Sequence, residues 1–224
     1  MFVIFIIHHS SFIIHHSSFI IHHSSFIIHH SSFIIQKKMN QKIQPLWAKL
    51  EKNRLDLLQS LEKRDPSVLN QKPMPEAWSV NQNIMHLIEA ETASLTYMRK
   101  KLSFDTNLPQ AGFKSHWRRF VLKLAFALPI KVKAPANLET FPDDLNFEDL
   151  KNRWSTLRAE YVTFLETLPD NLVTAELWRH QLAGKMNMSQ MIGFFNDHVQ
   201  RHRGQIERTL DKIREHSKNS IPTS

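Results

Sequence analysis

Four long stretches of the chain repeat apolar residues every three or four positions, which is the pattern of an amphipathic helix. They cover residues 43–64, 79–102, 147–168 and 187–216. Lysine, arginine and glutamate fill the opposite faces. The pattern predicts an all-α protein built as an up-down bundle of four long helices. No two neighbouring stretches show the alternation of apolar and polar residues that would predict a pair of β-strands.

Polar residues mark where these helices begin. Ser79 stands three residues before Gln82, and Asn187 stands three residues before Gln190, which is the capping-box spacing. Asn146 is the expected N-cap of the third long helix. Prolines interrupt the connections, so residues 65–78 are predicted to form a loop.

An additional short helix is predicted between the second and third long helices. Its apolar positions keep helical spacing at Phe113, Trp117, Phe120, Val121, Leu124 and Leu128, and basic residues lie between them at Lys114, Arg118, Arg119 and Lys123. One interpretation is a basic helix on a membrane surface. The other is a packed lid or edge helix with a solvated basic face. We favour the second because the stretch is short.

The heptapeptide Phe-Ile-Ile-His-His-Ser-Ser repeats from Phe5 and breaks off at Ile35. The repeat carries eight of the chain's 14 histidines, which could bind metal. A coiled coil is excluded because the apolar residues are contiguous instead of three and four apart. Because the copies are identical, we interpret the segment as a translated DNA repeat and Met39 as the physiological start. The predicted organisation is a low-complexity segment over residues 1–38, a helical bundle over 39–217 and a disordered tail over 218–224.

Composition excludes several classes of protein. The chain has no cysteine, so a disulfide, a thiolate nucleophile and a cysteine-bound metal are excluded. Its four glycines argue against a glycine-rich nucleotide-binding fold. The apolar runs are too short to span a membrane. A net charge of +8 would suit an anionic partner. However, the basic residues Arg118, Arg119, Lys123, Lys131 and Lys133 match no nucleic-acid-binding module, so no nucleic-acid partner is expected.

Histidines carry the candidate chemistry. His198 and His202 are four residues apart, so they lie about 40° apart on the last helix, beside its apolar face. This spacing suits a chelating pair, although two ordinary histidines bonded to water or backbone would show it as well. The pair lacks the adjacent glutamate of zincin proteases. His86 on the second helix is the candidate third ligand, although it lies away from the centre of that helix's apolar arc. Glu89 and Glu91 are alternative oxygen ligands.

Two glycines, Gly193 and Gly204, lie on one side of the last helix. They favour either a close helix–helix crossing, such as one at a dimer interface, or simple tolerance of glycine in a long helix. The pattern leaves both alternatives open.

The order of these motifs resembles the DinB/YfiT-like superfamily. The resemblance rests on Pro75-Glu76-Ala77-Trp78-Ser79, then His86-Leu87-Ile88, then His198-Val199-Gln200-Arg201-His202 with Gln205-Ile206, and it spans about residues 43–215. The segments 128–135 and 179–186 also resemble one subgroup. One departure is Gln181, which follows His180 where the family has proline.

The resemblance implies a bundle that holds one divalent metal (Zn, Ni, Fe or Mn) on His86, His198 and His202, often as a homodimer. It implies a metal-dependent thiol S-transferase or hydrolase in which the metal activates a thiol or water. A low-molecular-weight thiol and a small electrophile are then the expected substrates, in the cytoplasm and without a membrane partner. Candidate general bases are Glu89, Tyr97 and His180. The alternative is a non-catalytic metal-binding or structural bundle.

Overall fold

The computed structural model describes residues 38–127 and 141–219. Contacts divide the chain into two units, residues 1–38 and residues 39–224. Residues 1–37, which include the whole histidine repeat, and the segment 128–140 lie outside the described residues. The interpretation of the repeat as a translated DNA segment therefore stays a prediction.

The described residues form seven helices and two short strands. In chain order they are α1 (Gln44–Glu62), α2 (Pro66–Asn70), α3 (Val80–Phe104), α4 (Phe113–Ala127), α5 (Phe147–Thr167), α6 (Asp170–Val173), β1 (Trp178–His180), β2 (Gly184–Met186) and α7 (Met188–Asn219). The predicted all-α class is confirmed: α1, α3, α5 and α7 are the four long helices, and α4 is the additional helix between the second and third. The last helix is longer than predicted, since residues 218 and 219 of the expected tail are helical and 220–224 lie outside the described residues.

Helix α7 is the centre of the bundle. It packs against α1 on one side and α3 on the other, α3 packs in turn against α5, and α4 packs on α7. Trp154, Tyr161 and Phe195 are the largest fully buried side chains between these helices. No helix in the described part of the chain is long and apolar enough to cross a membrane.

The predicted helix starts are confirmed at atomic level. The Ser79 hydroxyl accepts a hydrogen bond from the Gln82 amide at 3.2 Å, and the Gln82 side chain accepts one from the Ser79 amide at 3.0 Å. Asn187 and Gln190 make the same reciprocal pair at 2.9 and 3.0 Å. Each pair satisfies two backbone donors that a helix N-terminus leaves without an intrahelical partner. These two caps fix the starts of α3 and α7.

Two expectations about the connections were wrong. The loop predicted over residues 65–78 contains α2, whose N-cap Asp65 accepts from the Ser67 amide. The loop before α7 contains an antiparallel hairpin, in which Trp178 pairs with Met186 and His180 with Gly184. Strands of three residues are too short to show an alternating pattern. Gly184 supplies a positive φ of 80°, which glycine adopts without strain.

Helix α4 turns a different side toward the bundle from the one that the sequence predicted. Its buried contacts come from Ser115 and Leu122, whereas the residues of its apolar stripe are exposed: Phe113, Trp117, Phe120, Val121 and Leu124. The basic face was predicted to be exposed to solvent, but part of it contacts the bundle, because Arg119 pairs with Asp197 of α7 at 2.5 Å. Helical spacing located the helix, but it could not show which of its two sides faces the bundle.

A buried ionic network joins α3 to α5. The carboxylate of Glu91, 1% exposed, accepts hydrogen bonds from Arg158 at 2.8 Å and from the Trp154 indole at 3.1 Å. The Tyr161 hydroxyl donates to the Glu91 carbonyl at 2.8 Å. Burial raises the pKa of Glu91, and the Arg158 guanidinium offsets part of that rise. The guanidinium also lies 5.0 Å from the centre of the Trp47 ring, so the network extends to α1.

Candidate metal centre

The structure brings the three predicted ligands together in the core. His86 lies on α3, and His198 and His202 lie one turn apart on α7. Their exposed fractions are 7%, 7% and 5%. The sequence left open whether His86 flanks the core, and the structure shows that it faces α7. The packing of α3 on α7 sets the position of the cluster.

The Nε2 atoms of the three imidazole rings lie close together. The Nε2 atom of His198 lies 3.2 Å from Nε2 of His86 and 3.1 Å from Nε2 of His202. One potential ligand atom from each of the three residues lies within 4.8 Å of the other two. Such convergence of imidazole nitrogens is the arrangement of a tris-histidine metal site.

The spacing of these nitrogens fits a divalent ion. Zinc–imidazole bonds of ~2.0–2.1 Å in a tetrahedral site place two nitrogens about 3.4 Å apart. The two measured separations, 3.1 and 3.2 Å, are within a few tenths of an ångström of that value. A neutral imidazole has one N–H, so one proton on His198 Nε2 points at only one of its two neighbours. An ion at the centre uses the lone pairs of all three rings at once.

Aromatic rings surround the histidines. The Trp78 ring centre lies 4.9 Å from that of His86 and 6.3 Å from that of His202, to which it is stacked. Phe141 contacts both Trp78 and His86 edge-on. On α7, Phe194 stacks on His198 at 5.3 Å. Apolar rings on these sides lower the local dielectric, which strengthens electrostatic interactions inside the cluster.

The protein keeps two of the three rings neutral. Burial, followed by the neighbouring His202 and His86, lowers the pKa of His198 well below 6.5. Burial, followed by His86 and Arg201, does the same to the pKa of His202. Only a neutral imidazole can bind a metal, so depressed pKa values reduce the competition between protons and an ion. Near neutral pH these two rings are therefore ready to ligate.

The carboxylates proposed as alternative ligands are engaged elsewhere. Glu91 is committed to Trp154 and Arg158 in the ionic network. Glu89 forms an ion pair with Arg153 at 2.5 Å, at the outer side of α3. Among the described residues, the group that brings three potential metal ligands together is the three histidines alone.

The candidate general bases lie away from the cluster or have another role. Tyr97 is 37% exposed and follows His86 by eleven residues, which is about 16 Å along a helix. His180 lies in the hairpin, where its Nδ1 atom accepts hydrogen bonds from the Leu182 and Ala183 amides at 3.2 and 3.1 Å. Burial, followed by the nearby Arg119, lowers the pKa of His180 to about 4. The ring therefore holds the turn in its neutral form, as a loop residue bonded to backbone.

The two glycines of α7 have different surroundings. A Cβ atom at Gly193 would lie 3.2 Å from Nη2 of Arg119, whereas one at Gly204 would meet Nη1 of Arg208 at 3.3 Å. Within the chain, Gly193 makes room for an arginine of α4 and not for a backbone crossing. Among the described residues, Gly204 faces only a side chain of its own helix, so the alternatives of simple tolerance and a crossing at a dimer interface stay predictions.

Sequence reasoning missed one polar contact of the cluster. The Asn83 side chain lies 2.9 Å from Nδ1 of His202. No spacing rule connects these residues, because they lie on different helices and 119 positions apart. The aromatic walls from Phe141 and Phe194 were missed for the same reason, although Trp78 belongs to the motif that located His86.

Comparisons with known proteins agree with the earlier resemblance. A family model described as the DinB superfamily matches residues 49–206, which is more than half of the chain. The uncharacterized protein YuaE of Bacillus subtilis (strain 168) is 24% identical over 160 residues, covering 71% of this chain and 94% of YuaE.

A solved structure also matches. It is YfiT from Bacillus subtilis, described as a probable metal-dependent hydrolase with an unusual four-helix bundle topology. The match covers 79% of this chain and 90% of YfiT, with 17% sequence identity and a TM-score of 0.49. The family model, which includes all three histidines of the cluster, decides the assignment: this chain belongs to the DinB superfamily.

Proposed function

We propose that this protein is a metal-dependent enzyme of the thiol S-transferase or hydrolase type. His86, His198 and His202 are the proposed ligands of one divalent ion, with zinc, nickel, iron and manganese as candidates. The observation that carries the proposal is the convergence of three Nε2 atoms at 3.1 and 3.2 Å in a buried position. Membership of the DinB superfamily supports it.

The residues of the chain hold the site and line its sides. The three imidazoles supply the ligands, and Trp78, Phe141 and Phe194 pack against them. A bound divalent ion lowers the pKa of a water or thiol that it binds, which supplies a nucleophile near neutral pH. The thiol in the transferase reaction is a low-molecular-weight cosubstrate, because the chain has no cysteine.

The test is turnover by the full-length chain loaded with each candidate metal. Small electrophiles would be offered with a panel of low-molecular-weight thiols, and simple esters and amides would be offered with water alone. We expect product formation that depends on metal and disappears in His198→Ala. A loaded protein that turns over none of these substrates would favour the alternative, in which the cluster binds metal without catalysis.

The remaining predictions about partners and location accompany this proposal. A homodimer and a cytoplasmic location stay predictions, as does the absence of nucleic-acid and membrane partners.

A further inference from the structure

We propose that Asn83 is a positioning residue that holds His202 in the tautomer required for ligation through Nε2. The inference rests on the proposed metal site, but it concerns the polar contacts of this chain and is testable without metal. Asn83 is 2% exposed and lies in the first turn of α3.

The orientation of the Asn83 amide is dictated by its other contact. Its Nδ2 atom lies 2.8 Å from the Ser79 carbonyl oxygen. A carbonyl oxygen only accepts hydrogen bonds, so the amide atom that faces it must be the nitrogen. The Oδ1 atom therefore faces His202, and a flipped amide would place two acceptors against each other.

This orientation decides the proton on His202. Oδ1 of an asparagine only accepts, so Nδ1 of His202, 2.9 Å away, must donate. A neutral imidazole has one N–H, and placing it on Nδ1 leaves a lone pair on Nε2. Nε2 is the atom that meets His198 at 3.1 Å in the cluster.

The same capping residues that begin α3 hold this contact in place. The Ser79 carbonyl also accepts the backbone amide of Asn83 at 3.1 Å, so both donors of Asn83 are tied to the N-cap. Gln82 completes the cap and donates to the carbonyl oxygens of Phe141 and Pro142 at 3.2 and 3.1 Å. The start of α3 thus orients one ligand and secures an aromatic wall of the cluster. Polar groups that orient a metal-binding histidine in this way typically change affinity 10–100-fold when removed.

The experiment compares full-length variants in two measurements. The first is the tautomer of His202 in metal-free protein near neutral pH, from long-range ¹⁵N–¹H NMR spectra, with His202→Gln identifying its signals. The second is the dissociation constant for Zn²⁺, from competition with a chromophoric chelator. His202→Gln also retains the histidine repeat, so the Zn²⁺ that it binds measures the contribution of the repeat.

Asn83→Leu keeps the approximate size and removes both polar contacts. We expect it to abolish the Nδ1–H tautomer of His202 and to raise the Zn²⁺ dissociation constant about 10–100-fold. Asn83→Asp keeps an acceptor for Nδ1–H, so it should retain the tautomer and most of the affinity. Its second oxygen faces the Ser79 carbonyl oxygen in place of the lost donor, so the free energy of unfolding should fall. If Asn83→Leu does not fold, this variant still allows the tautomer and the affinity to be measured.

Asn81→Leu is the matched control. Asn81 is 1% exposed in the same turn of α3, but it donates to Asn70 and to the Leu145 carbonyl. We expect it to lower stability while leaving the His202 tautomer and the Zn²⁺ affinity unchanged.

The outcomes separate the two proposals. A wild-type His202 protonated on Nε2, or an unchanged tautomer and affinity in Asn83→Leu, would overturn the role of Asn83. A protein that binds none of Zn²⁺, Ni²⁺, Fe²⁺ and Mn²⁺ but shows the Nδ1–H tautomer, lost in Asn83→Leu, would support the role of Asn83 and contradict the proposed function.

Discussion

Nε2 of His86 lies 3.2 Å from Nε2 of His198, although 112 positions separate the two residues. Each histidine lies on a helix that begins with its own capping pair. Ser79 and Gln82 cap the helix of His86, and Asn187 and Gln190 cap the helix of His198. The contact exists because α3 and α7 pack against each other with these ring faces inward. The chemistry of the cluster is therefore a consequence of bundle packing.

Replacing Glu91 tests the buried ionic network. Glu91→Ala removes the carboxylate that lies 2.8 Å from the Arg158 guanidinium, 5% exposed, and leaves it the longer 3.8 Å pair with Glu51. Breaking a buried ion pair from one side costs about 3–5 kcal/mol, so we expect the free energy of unfolding to fall by that amount. Denaturant titration measures it.

The control for Glu91 is two positions away. Glu89→Ala removes a surface pair with Arg153 and should cost at most about 1 kcal/mol. Equal losses in the two variants would contradict the structural role of the network.

Acid should destabilise the protein partly through His180. The folded-state pKa of this ring is lowered from 6.5 to about 4, so below pH 6.5 the unfolded chain binds a proton that the folded chain does not. Stability is therefore lost as the pH falls, by about 2 kcal/mol at about pH 5 for this group.

The asparagine variant isolates this titration. In His180→Asn the amide oxygen can still accept from the turn, but it does not titrate. Unfolding measured at about pH 7 and about pH 5 should show a smaller loss in His180→Asn than in the wild type. The same loss in both proteins would refute the assignment.

The glycines of α7 give a pair of opposite predictions. Gly204→Ala should stabilise the protein by about 1 kcal/mol through helix propensity, because the nearby Arg208 tip is exposed and free to move. Gly193→Ala presses on Arg119, which Asp197 holds in place, so it should be at least about 1 kcal/mol less favourable than Gly204→Ala. Thermal or denaturant unfolding compares them, and equal effects would argue against the packing role of Gly193.

The long helices were predictable because their signals are local. Capping pairs such as Ser79 with Gln82 lie three residues apart, and the apolar stripes repeat within one helix. The hairpin was missed because three-residue strands carry too little pattern. The exposed stripe of α4 shows the same limit: spacing identified Trp117 and Leu124 as one face, but the packing that leaves them exposed is a property of the whole bundle.

The candidate site was predictable only in part. The His198–His202 pair follows from spacing. His86 was a candidate from its place on the second helix, but spacing could not show that it faces the last helix, because it lies away from the centre of its own helix's apolar arc. Asn83 had no local signal, because its partner lies on another helix. The general-base candidate His180 illustrates the reverse case, in which a plausible residue is already used to hold a turn.

The most direct test of the account is the metal content of the full-length chain. It would be purified without a metal-binding tag, loaded, dialysed and compared by elemental analysis with His86→Gln, His198→Gln and His202→Gln. The variants retain the repeat histidines and so serve as the blank, with circular dichroism verifying their fold. We expect the wild type to carry about one more divalent ion per chain than each variant. Equal metal in the wild type and the three folded variants would contradict it.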